Sequence, residues 1–255
     1  MNRGFWDETS AAERYANGRP YFHPEVMARI WHKLALTHRM PFALDVGCGT
    51  GQSALALTEL ADEVLGIESS AAMVEQTVSR DKLRFELGMA ESLPVDTASV
   101  DIVTVSSAFH WFHKSEFLDE AKRVLRLGGR LVIYDNRFRA AMVENSEFNK
   151  WMTSVYHVCF PTPPRSPATP VSEEISDAGL IYSGMEDYAN RVSFAPEQLV
   201  LYMMTASNIT ETVEHGEQSA AEVADFLHTE TAPLFTGPKG TFLFGGEITY
   251  ARNPG

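Results

Sequence analysis

The chain has 255 residues, 44% of them apolar, and a formal net charge of −13. That length buries a full core without metal or disulfide, so one large α/β domain is expected, with an insertion of subdomain size at most. Two cysteines, Cys48 and Cys159, make neither a disulfide framework nor a zinc set and fit a reducing cytoplasm, while the acidic balance speaks against a nucleic-acid partner, whose phosphates demand cations.

In chain order, residues 5–24, FWDETSAAERYANGRPYFHP, form an aromatic-rich leader that holds Tyr15 and Arg19. Residues 24–38 then carry Val26, Ile30, Leu34 and Trp31 on one side of an amphipathic helix. Leu44 to Gly51 reads LDVGCGTG: an apolar run, the acid Asp45, and glycines at 47, 49 and 51, followed by a helix-forming stretch. Missing β-carbons in a strand-to-helix turn let a ligand lie directly on the backbone. A triphosphate loop would end in Gly-Lys-Ser/Thr, whereas Gly51 is followed by Gln52 and Ser53 with no lysine. A dinucleotide loop wants a small residue where Gln52 stands, and Asp45 would repel a diphosphate. Asp45 suits instead a ligand with an ammonium and a sulfonium. The next strand, Glu63 to Ile67, leads into Glu68, about twenty residues past the glycines, where a βαβ unit brings an acid to ribose hydroxyls. A capping acid at a helix start is the other reading of Glu68.

With the segment GIESSAAM, Gly66 to Met73, the chain resembles the class I S-adenosylmethionine-dependent methyltransferases. The resemblance implies S-adenosylmethionine as cofactor and S-adenosylhomocysteine as product, with Glu68 on the ribose and Met73 as the apolar wall beside adenine. It continues in GMAESLPVDTASVDIVTV, Gly88 to Val105, where the family's turn holds the adenine edge. Many relatives carry an acid where Met89 stands, which leaves Ala90 and Glu91 as the adenine candidates; a surface turn acid is the other reading of Glu91. Asp45, Gly47, Cys48, Gly49, Gln52, Ser53, Ser69 and Ser107 complete the cofactor set, with Cys48 read as a small loop residue rather than a nucleophile. The block Ala108 to Phe112, AFHWF, is similar to a small-molecule subgroup that includes trans-aconitate methyltransferase-like proteins. It places His110 near the transferred methyl as a base or an orienting residue, with His113 as a helix start. The leader resembles the family's N-terminal lid over the cofactor, in which Tyr15 would stand edge-on to the methionine tail and Arg19 would pair with a carboxylate of cofactor or acceptor.

Phe117, Leu118, Ala121, Val124 and Leu125 recur at helical spacing, Gly128 and Gly129 are read as the helix terminator, and Arg130 to Tyr134 as a buried strand. Alternating strands and helices require a mostly parallel sheet with helices on both faces and ligands at the carboxyl ends of the strands. The family adds an antiparallel last strand and makes this a Rossmann-like, seven-stranded sheet. Beyond Asp135 the reading is a helix over residues 144–160, a proline-rich loop over 161–170, a strand over 189–194, helices over 196–206 and 219–228, and a final strand over 240–251. The expected organisation is a helical lid over 1–40, a cofactor core over 41–136, an insertion over 137–188 covering the acceptor, and the rest of the sheet over 189–255. Trp151, Tyr156, His157, Phe160 and Arg165 are the lid candidates, with helix packing as their other reading. The expected activity is methyl transfer to a small-molecule acceptor, a carboxylate first and a hydroxyl or amine second. A cofactor-binding regulator without turnover and an enzyme using a modified cofactor are the rivals. No metal, nucleic acid or membrane is expected as a partner, no apolar stretch has signal-peptide or spanning length, and the cytoplasm is the expected location.

Overall fold

The computed structural model describes residues 6–162, 167 and 169–255, which group into two compact units built from discontinuous segments. The larger unit comprises residues 21–136, 166–188 and 246–255. Within it run α2 (His23–Lys33), β1 (Met40–Val46), α3 (Gln52–Leu57), β2 (Ala61–Glu68), α4 (Ala71–Glu75), β3 (Leu83–Leu87), β4 (Val100–Ser106), α5 (Lys114–Val124) and β5 (Leu125–Tyr134). The smaller unit comprises residues 1–20, 137–165 and 189–245. It holds α1 (Thr9–Gly18), β6 (Arg137–Met142), α6 (Glu147–Trp151), a π turn over Met152–Tyr156 and α7 (His157–Cys159). Helix α8 (Ser172–Asp177) belongs to the larger unit, and α9 (Pro196–Met203), α10 (Ser207–His215) and α11 (Ala220–Thr231) to the smaller. Strands β7 (Ile181–Phe194) and β8 (Gly240–Arg252) run through both.

In the larger unit the strand order is β3-β2-β1-β4-β5-β8, parallel as far as β5, with the end of β8 antiparallel to β5. This is the Rossmann-like class I methyltransferase sheet, in which successive strands move outward from β1 on one side and resume at β4 on the other. That reversal makes the carboxyl ends of β1 and β4 the place for a ligand. The strands are buried on both faces, as parallel strands between helices must be. Leu44, Val46, Val103, Val105, Leu131 and Ile133 pack with Phe117, Leu118 and Ala121 of α5 on one face. Their neighbours Ala43, Ile102, Val132 and Tyr134 pack with Val26, Met27 and Ile30 of α2 and Ala54 and Leu57 of α3 on the other. The smaller unit has its own core, rich in aromatics: Phe242 lies 5.1 Å from Phe148 and 5.6 Å from Phe194.

Several elements differ from the sequence reading, among them β7, which opens at Ile181 rather than 189. Helix α5 stops at Val124 and Leu125 already opens β5, because Gly128 and Gly129 exchange backbone hydrogen bonds with Asn253, both at 2.9 Å, instead of capping a helix. Helix α2 ends at Lys33 rather than 38, since Ala35 has φ +50°, outside the helical region. Strand β6 lies within the stretch read as an insertion, pairing with the first half of β8, and brings the strands to eight. Among the described residues no helix is long and apolar enough to cross a membrane.

Candidate active site

Strand β1 carries Asp45 to the reversal point, where its side chain is wholly buried. Two hydroxyls hold it: Ser53 Oγ donates to Oδ2 at 2.5 Å and Thr104 Oγ1 to Oδ1 at 2.8 Å. Thr104 is the register partner of Asp45 across β1 and β4, and it went unread in the sequence although it is the polar residue in the buried run 102–105. Burial pushes the Asp45 carboxyl up to about 6 against these two bonds, with the Glu68 charge adding to the rise. Burial also pushes the Cys48 thiol up, which suits a small loop residue and not a nucleophile.

The glycines of the loop have φ of +69°, +54° and +85°. A Cβ on Gly47 would stand 2.6 Å from Ala108 Cβ, and one on Gly51 2.7 Å from Phe85 Cζ. Around Gly49 no atom lies within 4 Å of that position, so the bare backbone there fronts open space. Glu68 folds back on this loop. Its Oε2 accepts from Gly49 N at 2.9 Å and its Oε1 from Ser69 N at 2.8 Å and Ser70 N at 3.0 Å, while Ser70 Oγ caps α4 by accepting from Met73 N at 3.2 Å. Glu68 thus ties the backbone ahead of α4 to the glycine loop, and its Oε2, with one bond, keeps capacity for a further donor.

The turn after β3 is anchored by Gly88 N donating to Glu68 O at 2.9 Å. Ala90 is buried, Met89 is half exposed, and Glu91 Oε1 accepts from the backbone N–H of His113, the residue that starts α5, at 2.8 Å. Met73 is buried and Gln52 opens α3. Ser107, just past β4, has φ +53° and donates its N–H to Tyr134 O at 2.8 Å. In the aromatic block Phe109 is fully buried, 6.0 Å from Phe117, whereas the half-buried His110 ring lies 4.6 Å from Trp111 with both ring nitrogens buried. A pair absent from the sequence reading is His23 and Tyr134, whose Nδ1 and hydroxyl are 3.0 Å apart and buried, and burial raises the Tyr134 pKa.

The structure thus ties Asp45, Gly47 to Gly51, Ser53 and Glu68 into one hydrogen-bonded corner. Tyr15 and Arg19 belong to the smaller unit, where the Arg19 guanidinium lies 4.7 Å from the Tyr15 ring centre. Of the lid candidates, Trp151, Tyr156 and Phe160 are buried in that unit's core, His157 is exposed, and Arg165 lies outside the described residues. Among the described residues no cluster of three or more side chains is arranged to hold a metal.

The methyltransferase-domain family model matches residues 44–133, from the middle of β1 almost to the end of β5. A candidate methyltransferase of Dictyostelium discoideum is 33% identical over 125 residues, 49% of this chain and 47% of its own. The 27-O-demethylrifamycin SV methyltransferase of Amycolatopsis mediterranei is 32% identical over 149 residues, 53% of this chain and 50% of its own. The chain thus spans about half the length of the curated relatives it matches. The solved structure of a candidate type II methyltransferase from Anaeromyxobacter dehalogenans superposes with a TM-score of 0.68 at 22% identity, covering 92% of this chain and 97% of that one. The domain match over residues 44–133, this sheet order and this glycine corner make the chain similar to the class I S-adenosylmethionine-dependent methyltransferases.

Proposed function

We propose that the chain transfers the methyl group of S-adenosylmethionine to a small-molecule acceptor, a carboxylate first and a hydroxyl or amine second. The observation that carries this reading is the open space at Gly49, bounded by buried Asp45 and by Glu68. The residues fit the cofactor: a bare N–H and C=O ribbon accepts a flat nucleoside tail, Glu68 Oε2 accepts from a ribose hydroxyl, and Met73 and Ala90 offer apolar walls to adenine. Asp45 is too deeply placed to touch a ligand, and it serves the ammonium end as a charge acting through the loop. Tyr15 and Arg19 are assigned to the cofactor set on the leader's resemblance alone.

When bound, S-adenosylmethionine supplies an activated methyl group, passed in line to the acceptor with release of S-adenosylhomocysteine. The chain's task is then to bring acceptor and methyl into line and to keep water out. His110 orients the acceptor, or takes its proton where the acceptor is a hydroxyl or amine; a carboxylate has none to lose. A small molecule is favoured by the net charge of −13 and by the small-molecule substrate in the name of the rifamycin relative. The test is acceptor-dependent formation of S-adenosylhomocysteine, read by mass spectrometry after incubation with S-adenosylmethionine and mixtures of small acids, phenols and amines. Binding without any turnover would leave a cofactor-binding regulator, and uptake of a nicotinamide or flavin nucleotide in its place would end the reading.

A further inference from the structure

Between β3 and β4, residues 88–99 form no helix or strand, so their backbone groups need partners from elsewhere. Helix α5 supplies them with side chains. Glu120 Oε2 accepts from Leu93 N at 2.8 Å. Arg123 Nη2 donates to Leu93 O at 2.9 Å, and its Nη1 donates to Val95 O at 3.0 Å and to Thr97 Oγ1 at 3.5 Å. The two side chains are also locked to each other, Nε donating to Glu120 Oε1 and Nη2 to Oε2, both at 2.7 Å. All five donors of the guanidinium thus have acceptors. The bonds from Arg123 hold the Glu120 carboxyl below its ordinary value, so both groups are charged at neutral pH.

A third bond joins the same helix to the same turn, from His113 N at the start of α5 to Glu91 Oε1 at 2.8 Å. Positions 113, 120 and 123 fall along one side of a helix. The turn is therefore pinned to a single rigid element at residues 91, 93 and 95, directly after buried Ala90, and all of these residues belong to the larger unit. Base recognition by a backbone needs its N–H and C=O groups at fixed spacing, and a fork of charge-assisted bonds holds them more firmly than a loop's own neutral ones. Neither Glu120 nor Arg123 is placed to meet a ligand, since both spend their polar atoms on each other and on the turn. Their effect on binding is exerted through Ala90 and Glu91.

We propose, on the basis of the function proposed above, that Glu120 and Arg123 are positioning residues that set the turn for a 6-aminopurine and so make the chain selective for an adenosyl cofactor. Calorimetric titration compares S-adenosylhomocysteine with S-inosylhomocysteine, whose base carries oxygen in place of the amino group. The proteins are wild type, Arg123→Lys, Glu120→Gln and the control Leu118→Ala, which removes core packing from the same helix, each checked by melting. Wild type should prefer the adenosyl ligand at least tenfold, because a site built for an amino group rejects its replacement. Arg123→Lys keeps the charge and loses the fork. It and Glu120→Gln should each weaken the adenosyl ligand about tenfold and the inosyl ligand less than threefold, while Leu118→Ala lowers the melting temperature and keeps the preference. An unmoved preference in the folded clamp variants overturns the proposal, as does a control that loses the preference with them or a wild type that takes both ligands alike. Hydrogen exchange on the wild type reads the turn without any substitution: S-adenosylhomocysteine should slow the amides of residues 90–95, and unchanged exchange there overturns the proposal too. Wild type that binds neither ligand ends the methyltransferase reading and this inference with it, whereas adenosyl binding with an unmoved preference ends this inference alone.

Discussion

Asp45 shows how one residue links stability to ligand binding. Burial raises its carboxyl to about 6 from an ordinary 3.8, so the folded chain holds this proton more tightly than the unfolded one. The stability this gives is fully present below about pH 4 and is lost as pH rises through about 6, a swing on the order of 3 kcal/mol. Asp45→Asn should remove that step from a denaturant-melting profile taken between pH 4 and 8. Cofactor binding should run the other way, since an ammonium partner favours the ionised form. Wild-type affinity for S-adenosylhomocysteine should rise up to about tenfold per pH unit below 6 and level off above it, while the Asn variant binds weakly and without that slope. Glu68 is a second case, because the same carboxylate closes the loop at Gly49 N and is assigned to the ribose. Glu68→Ala should weaken S-adenosylhomocysteine by roughly 1.5 to 3 kcal/mol in calorimetry, the range for a charged hydrogen bond. An unchanged affinity would leave Glu68 with its bonds to the loop backbone alone. That both acids stand at the carboxyl ends of β1 and β2 was legible in the sequence from position and spacing. The clamp of Ser53 and Thr104 on Asp45 was only half legible, because register between β1 and β4 is a tertiary fact.

At the scale of elements, the loop between β1 and α3 divides its glycines between packing and ligand. Gly47→Ala drives a β-carbon against Ala108 and Phe112, and it should lower stability by about 1 to 3 kcal/mol in chemical denaturation, the usual cost of overpacking. Gly49→Val meets no neighbour, so its cost to folding is only that of a branched residue at positive φ, yet it fills the open space and should abolish S-adenosylhomocysteine binding. Loss of binding in the first variant with retention in the second would reverse the assignment. Strand and helix types in residues 44–134 followed from short apolar, β-branched runs and from helical spacing, which are local. The end of α5 did not: two consecutive glycines look like a helix stop, and only the pairing of Gly128 and Gly129 with Asn253, far along the chain, turns them into strand. Beyond Asp135 the same problem grows, since β6 pairs with part of β8 about a hundred residues later. Glu91 is similar: its link to the start of α5 crosses a strand and a loop that no local pattern spans.

For the whole molecule, binding and folding are coupled through the native state alone. A ligand held at a hundred times its dissociation constant, without affinity for the unfolded chain, adds about 2.7 kcal/mol. At about 2 to 4 °C per kcal/mol for chains of this size, S-adenosylhomocysteine should raise the melting temperature of the wild-type protein by about 5 to 10 °C in calorimetry. The corner proposed to receive it lies in the larger unit, between residues 45 and 68, so the shift is expected in the transition in which that unit's core opens. Gly49→Val should show no shift at any concentration, and Glu68→Ala should need about ten to a hundred times more ligand for the same shift, by the affinity loss argued above. Identical shifts in all three proteins would mean that S-adenosylhomocysteine acts as a co-solvent, and the glycine corner would then lose its standing as a site.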